Sequence, residues 1–111
     1  MDNDELNHRD LLARLRRHMF SSPVRLMIAM ILLEKGEIGF KDLVEALGVT
    51  PGSLWSHLTK LKDKGLIRLR YRISFHGPRL VISLTDKGME ELRSYIDLLD
   101  KLVGRTERLT R

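Results

Sequence analysis

Apolar side chains recur along this chain in two rhythms: steps of three and four through most of its length, and alternation between Ile67 and Leu84. The changes of rhythm divide the chain into elements. A first helix is predicted from about Asp4 to Met19, with Leu11, Leu12, Leu15 and Met19 at helical spacing and Arg9, Arg14, Arg16 and Arg17 mostly on the other faces. Ser21-Ser22-Pro23 restarts the chain, because Ser22 can cap a helix whose first turn holds Pro23, where the missing N–H costs nothing. That helix runs to about Lys35 and stops at Gly36. Its stretch Leu26 to Leu33 is apolar on nearly every side, which predicts the central core helix.

A short extended piece, Glu37-Ile38-Gly39, precedes an amphipathic helix from Phe40 to Leu47 with Phe40, Leu43, Val44 and Leu47 turned inward. Gly48 ends it, and Thr50-Pro51 opens a further helix from about Pro51 to Lys64, closed by Gly65. Two short helices joined by Gly48-Val49-Thr50 have the connection of a helix-turn-helix. From Leu66 the period becomes two: Ile67, Leu69, Tyr71 and Ile73 alternate with Arg68, Arg70 and Arg72, which predicts a strand with one buried face and one arginine face. His76-Gly77-Pro78 marks the turn, Leu80, Ile82 and Leu84 complete a β-hairpin, and Thr85-Asp86 caps a last helix from about Asp86 to Val103 with a polar tail behind it.

A chain of 111 residues is one domain long and can bury only about two-thirds of the surface it exposes when unfolded. Apolar residues at 42% and charged residues at 32% fit a soluble globular unit, and no apolar run approaches the roughly 20 residues of a membrane span. The acidic start Met1-Asp2-Asn3-Asp4-Glu5 does not look like a secretory signal, so a cytoplasmic location is expected. The absence of cysteine excludes disulfides, thiolate zinc sites and thiol redox switches. The four histidines, His8, His18, His57 and His76, lack metal-ligand spacing, and no cofactor is expected. Net charge is +5, and its location changes the picture. Residues 50–79 hold seven basic side chains (Lys60, Lys62, Lys64, Arg68, Arg70, Arg72, Arg79) and one acid, Asp63, whereas the remainder has 13 bases and 14 acids. One contiguous stretch supplies the whole positive excess, as a phosphate-facing surface would.

The order of elements resembles the winged helix fold of the MarR and ArsR regulator groups. The segments Phe40-Lys41-Asp42-Leu43-Val44-Glu45-Ala46-Leu47-Gly48-Val49-Thr50, Ser53-Leu54-Trp55-Ser56-His57-Leu58-Thr59-Lys60-Leu61 and Lys64-Gly65-Leu66-Ile67 resemble the compact, MarR-like winged helix DNA-binding domains common in prokaryotes. Leu84-Thr85-Asp86-Lys87-Gly88 does so too, and the likeness covers about residues 22–100. The resemblance implies a mainly α fold with a small β-hairpin, a second motif helix that enters the major groove, and a wing that touches flanking backbone or minor groove. It divides the chain into an N-terminal helical arm (1–20), a winged helix-turn-helix DNA-binding domain (21–85) and a C-terminal dimerisation helix and tail (86–111).

On the 51–64 helix, Leu54, Leu58 and Leu61 cluster on one side, and Gly52, Ser53, Ser56, Thr59, Lys60 and Asp63 lie opposite. The candidate DNA contacts are Thr50, Gly52, Ser53, Ser56, His57, Thr59 and Lys60 from this helix, with Ser56 and Lys60 one turn apart and placed to reach neighbouring base edges. Simple solvent exposure is the competing reading for that pair. His57 sits at the edge of the apolar arc, where a core-edge imidazole bonded to backbone competes with a base contact. Trp55 divides between packing on neighbouring helices and contact with DNA backbone or ligand. Arg68, Arg70 and Arg72 form a row with no local acid, and Arg79, beside His76 at the tip, is placed to enter a narrow minor groove.

In the last helix Met89, Leu92, Ile96, Leu99 and Val103 make a stripe wider than one small core needs, so a homodimer is expected through them, with Leu11 and Leu15 of the first arm completing the interface. Twofold symmetry would set two recognition helices about 34 Å apart. The function expected is a sequence-specific double-stranded DNA-binding transcriptional regulator. A protein-interaction winged helix or an RNA-binding module is the alternative. A small-molecule effector between the dimer helices and the DNA-binding domain is compatible with the sequence but not demanded by it. No nucleophile motif, phosphate-cradling loop or carboxylate pair suggests an enzyme.

Overall fold

The computed structural model describes residues 3–110, with side chains described from 8 to 104. The elements run α1 (Asn3–Arg17), α2 (Pro23–Lys35), β1 (Glu37–Gly39), α3 (Phe40–Leu47), α4 (Pro51–Asp63), β2 (Ile67–Ser74), β3 (Gly77–Leu84) and α5 (Asp86–Thr110), with a single 3₁₀ turn at Met19–Ser21 between α1 and α2. This is a winged helix fold, mainly helical with one small antiparallel sheet.

The core forms where amphipathic faces converge. Ile28 and Leu32 of α2, Leu43 of α3, Leu54, Leu58 and Leu61 of α4, Ile82 of β3 and Leu92 of α5 are fully buried together. Phe20 joins them from the 3₁₀ turn, which the periodicity does not reveal because a three-residue element has no repeat to read. The turn is fixed by His18, whose Nδ1 accepts a hydrogen bond from the Phe20 N–H at 3.2 Å. Helix α2 is less enclosed than its all-round apolar sequence suggests: Ile28, Ala29 and Leu32 face the core, while Met27, Met30 and Leu33 stand half-exposed on the outer side, because so small a core covers only one arc of the helix.

The sheet has the order β1-β3-β2, and its register puts Arg72 opposite Arg79 and Ser74 opposite Gly77. The reversal is therefore the pair Phe75-His76, which begins one residue earlier than the predicted His76-Gly77-Pro78 and leaves Gly77 and Pro78 in the strand. Ser74 Oγ donates to the Gly77 carbonyl at 2.7 Å and accepts from His76 N at 3.3 Å, closing the loop. Pro78 is the second residue of β3, beyond the reach of β1, which pairs only as far as Val81. A missing N–H there breaks no ladder bond on that side. The predicted buried face of β2 holds for its first half only. Ile67 is buried and Leu69 packs against the core, but Tyr71, Ile73 and Phe75 are 75%, 93% and 100% exposed because the hairpin outruns the helices beneath it.

Helix α5 continues to Thr110 instead of giving way to a tail after Val103, since no proline or turn sequence interrupts it. Its N-terminus is locked onto the segment after α4. Thr85 Oγ1 donates to the Gly65 carbonyl at 2.6 Å and accepts from Gly88 N at 3.0 Å, and Thr85 N donates to the Leu66 carbonyl at 3.1 Å. Gly88 lies so close to the Leu66 carbonyl that a Cβ would collide with backbone. Farther along, α1 packs on α5, and His18 meets Tyr95 in a tilted ring contact with centroids 4.9 Å apart.

Two outcomes follow. Gly88→Ala should lower the unfolding free energy by about 1–3 kcal/mol, the range for inserting a carbon into a packed contact, as read by urea denaturation. Burial holds the His18 pKa below its ordinary 6.5, with Glu91, 3.4 Å from Nε2, partly opposing. The unfolded state then binds the proton more readily, so stability should fall as pH drops from 7 through the folded pKa. His57 is shifted in the same direction. His18→Asn, which keeps an acceptor for Phe20 N but cannot titrate, should flatten that dependence in denaturation series at pH 5–7.5.

Candidate nucleic-acid interface

Helix α4 is built so that its two sides do different work. Thr50 caps it, its Oγ1 accepting from Ser53 N at 3.1 Å, and Pro51 occupies its first turn. Leu54, Leu58 and Leu61 lock one side into the core, which leaves Gly52, Ser53, Ser56, Thr59 and Lys60 exposed on the other. These are the positions expected from the sequence, and the structure brings them onto one surface. Their hydrogen-bonding capacity is not equal. Thr59 Oγ1 already donates to the Trp55 carbonyl at 2.8 Å, so its hydroxyl is left as an acceptor. Among the described residues, nothing bonds the Ser56 hydroxyl or the Lys60 ammonium, which remain free to donate. Trp55 is half-exposed and packs edge-on against Phe40 of α3, centroids 6.2 Å apart.

His57 lies at the margin of this surface. Its Nδ1 is 3.2 Å from Nη1 of Arg25 in the first turn of α2, a side-chain partner where a backbone one was expected. Burial, then the charges of Arg25 and Lys60, hold its pKa below 6.5. Arg25 itself had no signal in the sequence: a lone arginine in an apolar helix becomes significant only once α2 and α4 are side by side.

The arginine row requires a correction. The register places Glu37 and Gly39 of β1, Val81 of β3, Arg68, Arg70 and Arg72 of β2, and Arg79 on one face of the sheet. Glu37 reaches both Arg70 at 3.3 Å and Arg72 at 3.1 Å, and Asp42 at the start of α3 holds Arg79 at 3.0 Å. No acid is near in sequence, but β1 pairs beside β3 and carries one in from 33 residues away. Of the row, only Arg68 has no ion-pair partner among the described residues. Arg79 does not project from the tip: its guanidinium folds back across Gly39, where a Cβ would stand 2.7 Å from Nη2. A side chain there would displace the end of Arg79 from this position. His76 is exposed in the hairpin loop. On the opposite side of the wing, Phe40, Lys41, Tyr71, Phe75, Pro78 and Leu80 border an open cleft of about 780 Å³, away from the place between dimer helices and DNA-binding domain considered for an effector.

The residues expected at a dimer seam divide. Leu92 is buried in the core of its own chain, as are Tyr95, Leu98 and Leu102 beside it. Leu11, Leu15, Met89 and Leu99 are half-buried, whereas Ile96 and Val103 are 45% and 54% exposed, with Leu12 of α1 similarly open.

Residues 24–103 match the family of winged helix DNA-binding domains. The chain is 31% identical over 78 residues to the uncharacterised protein MJ0432 of Methanocaldococcus jannaschii, covering 70% of this chain and 85% of that one. Among solved structures, it is similar to a transcriptional regulator homologue from Pyrococcus horikoshii OT3, with a TM-score of 0.79, 32% identity, and coverage of 86% and 95% of the two chains. A PadR family transcription regulator from Clostridium difficile R20291 shares the fold at a TM-score of 0.66, with 18% identity, 81% of this chain and all of that one covered.

The carboxylates on the wing face can be tested directly. Glu37→Gln should change stability by less than about 1 kcal/mol, because the ion pairs it breaks are half-exposed. It should strengthen binding to any duplex severalfold and steepen the salt dependence, since two guanidiniums no longer have an internal partner. Asp42→Asn should do the same through Arg79. Parallel denaturation curves and anisotropy titrations measure both.

Proposed function

We propose, from the premise that the chain belongs to the winged helix DNA-binding domain family, that it is a sequence-specific transcriptional regulator that binds double-stranded DNA as a homodimer. The observation that carries this reading is the division of α4, with three leucines fully buried on one side and Gly52, Ser53, Ser56, Thr59 and Lys60 presented together on the other. A helix so held is narrow enough to enter a major groove about 12 Å wide. Ser56 and Lys60, both with free donors, read base edges, while Thr50 and Ser53 at the helix N-terminus meet phosphate.

The wing contributes through Arg68, Arg70, Arg72, His76 and Arg79. Because three of the arginines start out paired, the wing contacts flanking phosphate by exchanging a carboxylate for it. That exchange is close to even in energy and carries little sequence information, so base choice falls to α4. The dimer forms along α5 and α1, where Ile96, Val103 and Leu12 leave apolar surface open beside half-buried Leu11, Leu15, Met89 and Leu99. Among the described residues no helix is long and apolar enough to cross a membrane.

Selection of bound duplexes from a random pool tests the reading. It should return a twofold-symmetric site with half-site centres one helical turn apart. Lys60→Ala should relax preference at one position per half-site, by about 1–3 kcal/mol. Ile96→Glu, at a position exposed in the protomer, should leave the fold intact yet give a monomer in sedimentation equilibrium and weaken binding to the selected site by about 10²-fold or more. No enrichment from the pool, or wild type sedimenting as a monomer at micromolar concentration, would overturn specificity or dimerisation respectively.

A further inference from the structure

Arg25 and His57 form a pair that the roles assigned above leave unused. Arg25 is held from two sides: its backbone N donates to Ser22 Oγ at 3.3 Å, and its Nε donates to the Met19 carbonyl at 2.8 Å. The guanidinium is thereby aimed at α4, where Nη1 meets His57 Nδ1 at 3.2 Å. Arginine offers donors only, so Nδ1 must be the acceptor and the neutral ring carries its proton on Nε2. Lys60 lies one turn beyond on the same exposed side of α4. The charged groups acting on His57 are Arg25 from α2 and Lys60 from its own helix; β2, also packed on α4, contributes none. No carboxylate pairs with any of the three among the described residues.

This arrangement is stable only while His57 is neutral. A proton on Nδ1 would set an N–H against an N–H of Arg25, with Lys60 nearby and no acid to compensate. An anion lying against Arg25 and His57 removes the conflict, because both donors then point at the same acceptor while the Lys60 charge adds to the favourable field. We propose that Arg25 and His57 form a phosphodiester subsite across the joint of α2 and α4, occupied by a DNA backbone phosphate, with one proton taken up from solvent at His57 Nδ1 as the phosphate binds. The proposal rests on the DNA-binding reading above and adds to it a contact from α2 and a dependence on pH.

The sign follows from the linkage. His57 in the free protein titrates below 6.5, and an adjacent phosphate raises that value. Affinity is therefore level at pH below the free value, falls as pH rises between the two, and levels again above the bound value. The steepest fall is about tenfold per pH unit for each linked proton.

The test uses the full chain and a 20-base-pair duplex of mixed sequence, titrated by fluorescence anisotropy from pH 5 to 8 at constant ionic strength. Wild type should weaken as pH rises. His57→Gln, which keeps an acceptor for Arg25 but cannot be protonated, should lose that slope, binding nearly as well at pH 8 as it does at pH 5. His76→Gln controls for the imidazole in the hairpin loop and should keep the slope. Arg25→Gln, with its fold verified by circular dichroism, should bind more weakly at every pH and show a salt slope smaller by about one. If His57→Gln binds with an unchanged pH slope, the proton link is wrong while the DNA-binding reading stands. An unchanged salt slope in folded Arg25→Gln removes the subsite. Failure of wild type to bind duplex at any pH removes both this proposal and the reading beneath it.

Discussion

Leu54, Leu58 and Leu61 are fully buried against Ile28, Leu32 and Leu43, and the orientation of every exposed group on α4 depends on that seam. Burying a leucine side chain contributes about 1.5–3 kcal/mol, so the three together rival the whole net stability of a domain this size. Rotating α4 by even one residue would bring Trp55 or Lys62 inward and turn a leucine to solvent. The helix therefore has one stable setting, and in that setting Ser56, Thr59 and Lys60 face outward as a consequence of packing and not of any attraction to a ligand. The polar surface is specified by what must be hidden on the other side.

Charge on the wing obeys a different constraint. The arginines of β2 and β3 lie on the sheet face turned away from the core, so packing does not hold them, and in the free protein Glu37 and Asp42 do. Half-exposed pairs of this kind contribute at most about 1 kcal/mol each. They are strong enough to keep long side chains from wandering over the surface, yet weak enough for a phosphate to replace the carboxylate. The sheet also ends where its support ends: beyond Leu69 and Leu80 the hairpin has no helix beneath it, and Tyr71, Ile73 and Phe75 are open to solvent.

The helices, the helix-turn-helix joint and the inward leucines were legible because each depends on residues close in sequence, whose spacing records which face is buried. What was not legible depends on partners far apart. The pairs Glu37 with Arg70 and Arg72, Asp42 with Arg79, and Arg25 with His57 each join residues more than 30 positions apart, so a row of arginines without a nearby acid could not reveal its carboxylates. The same limit explains the wing, where alternation predicted a buried face but could not say how far the helices extend below it. It explains the α5 stripe as well: periodicity identified apolar positions, but only the packing of α5 on the core and on α1 decided that Leu92 would be hidden while Ile96 and Val103 remained open.

The short segment between α4 and β2 links these parts mechanically. Gly65 and Leu66 follow directly on the end of α4, and their carbonyls receive the Thr85 hydroxyl and the Thr85 N–H that start α5. Gly88 presses against the Leu66 carbonyl with no space for a side chain, so the first turn of α5 cannot slide or roll relative to that segment. A helix of 25 residues extends about 37 Å from this joint, and a small rotation at its base becomes a displacement of several ångströms at its far end. The relation works equally in reverse. Whatever fixes α5 from outside, including a second copy packed along Ile96 and Val103, fixes the direction of α4 through two hydrogen bonds and one close contact. In the dimer proposed above, the spacing between the two α4 helices would be set by the junction at Gly65, Leu66, Thr85 and Gly88 as much as by the interface itself.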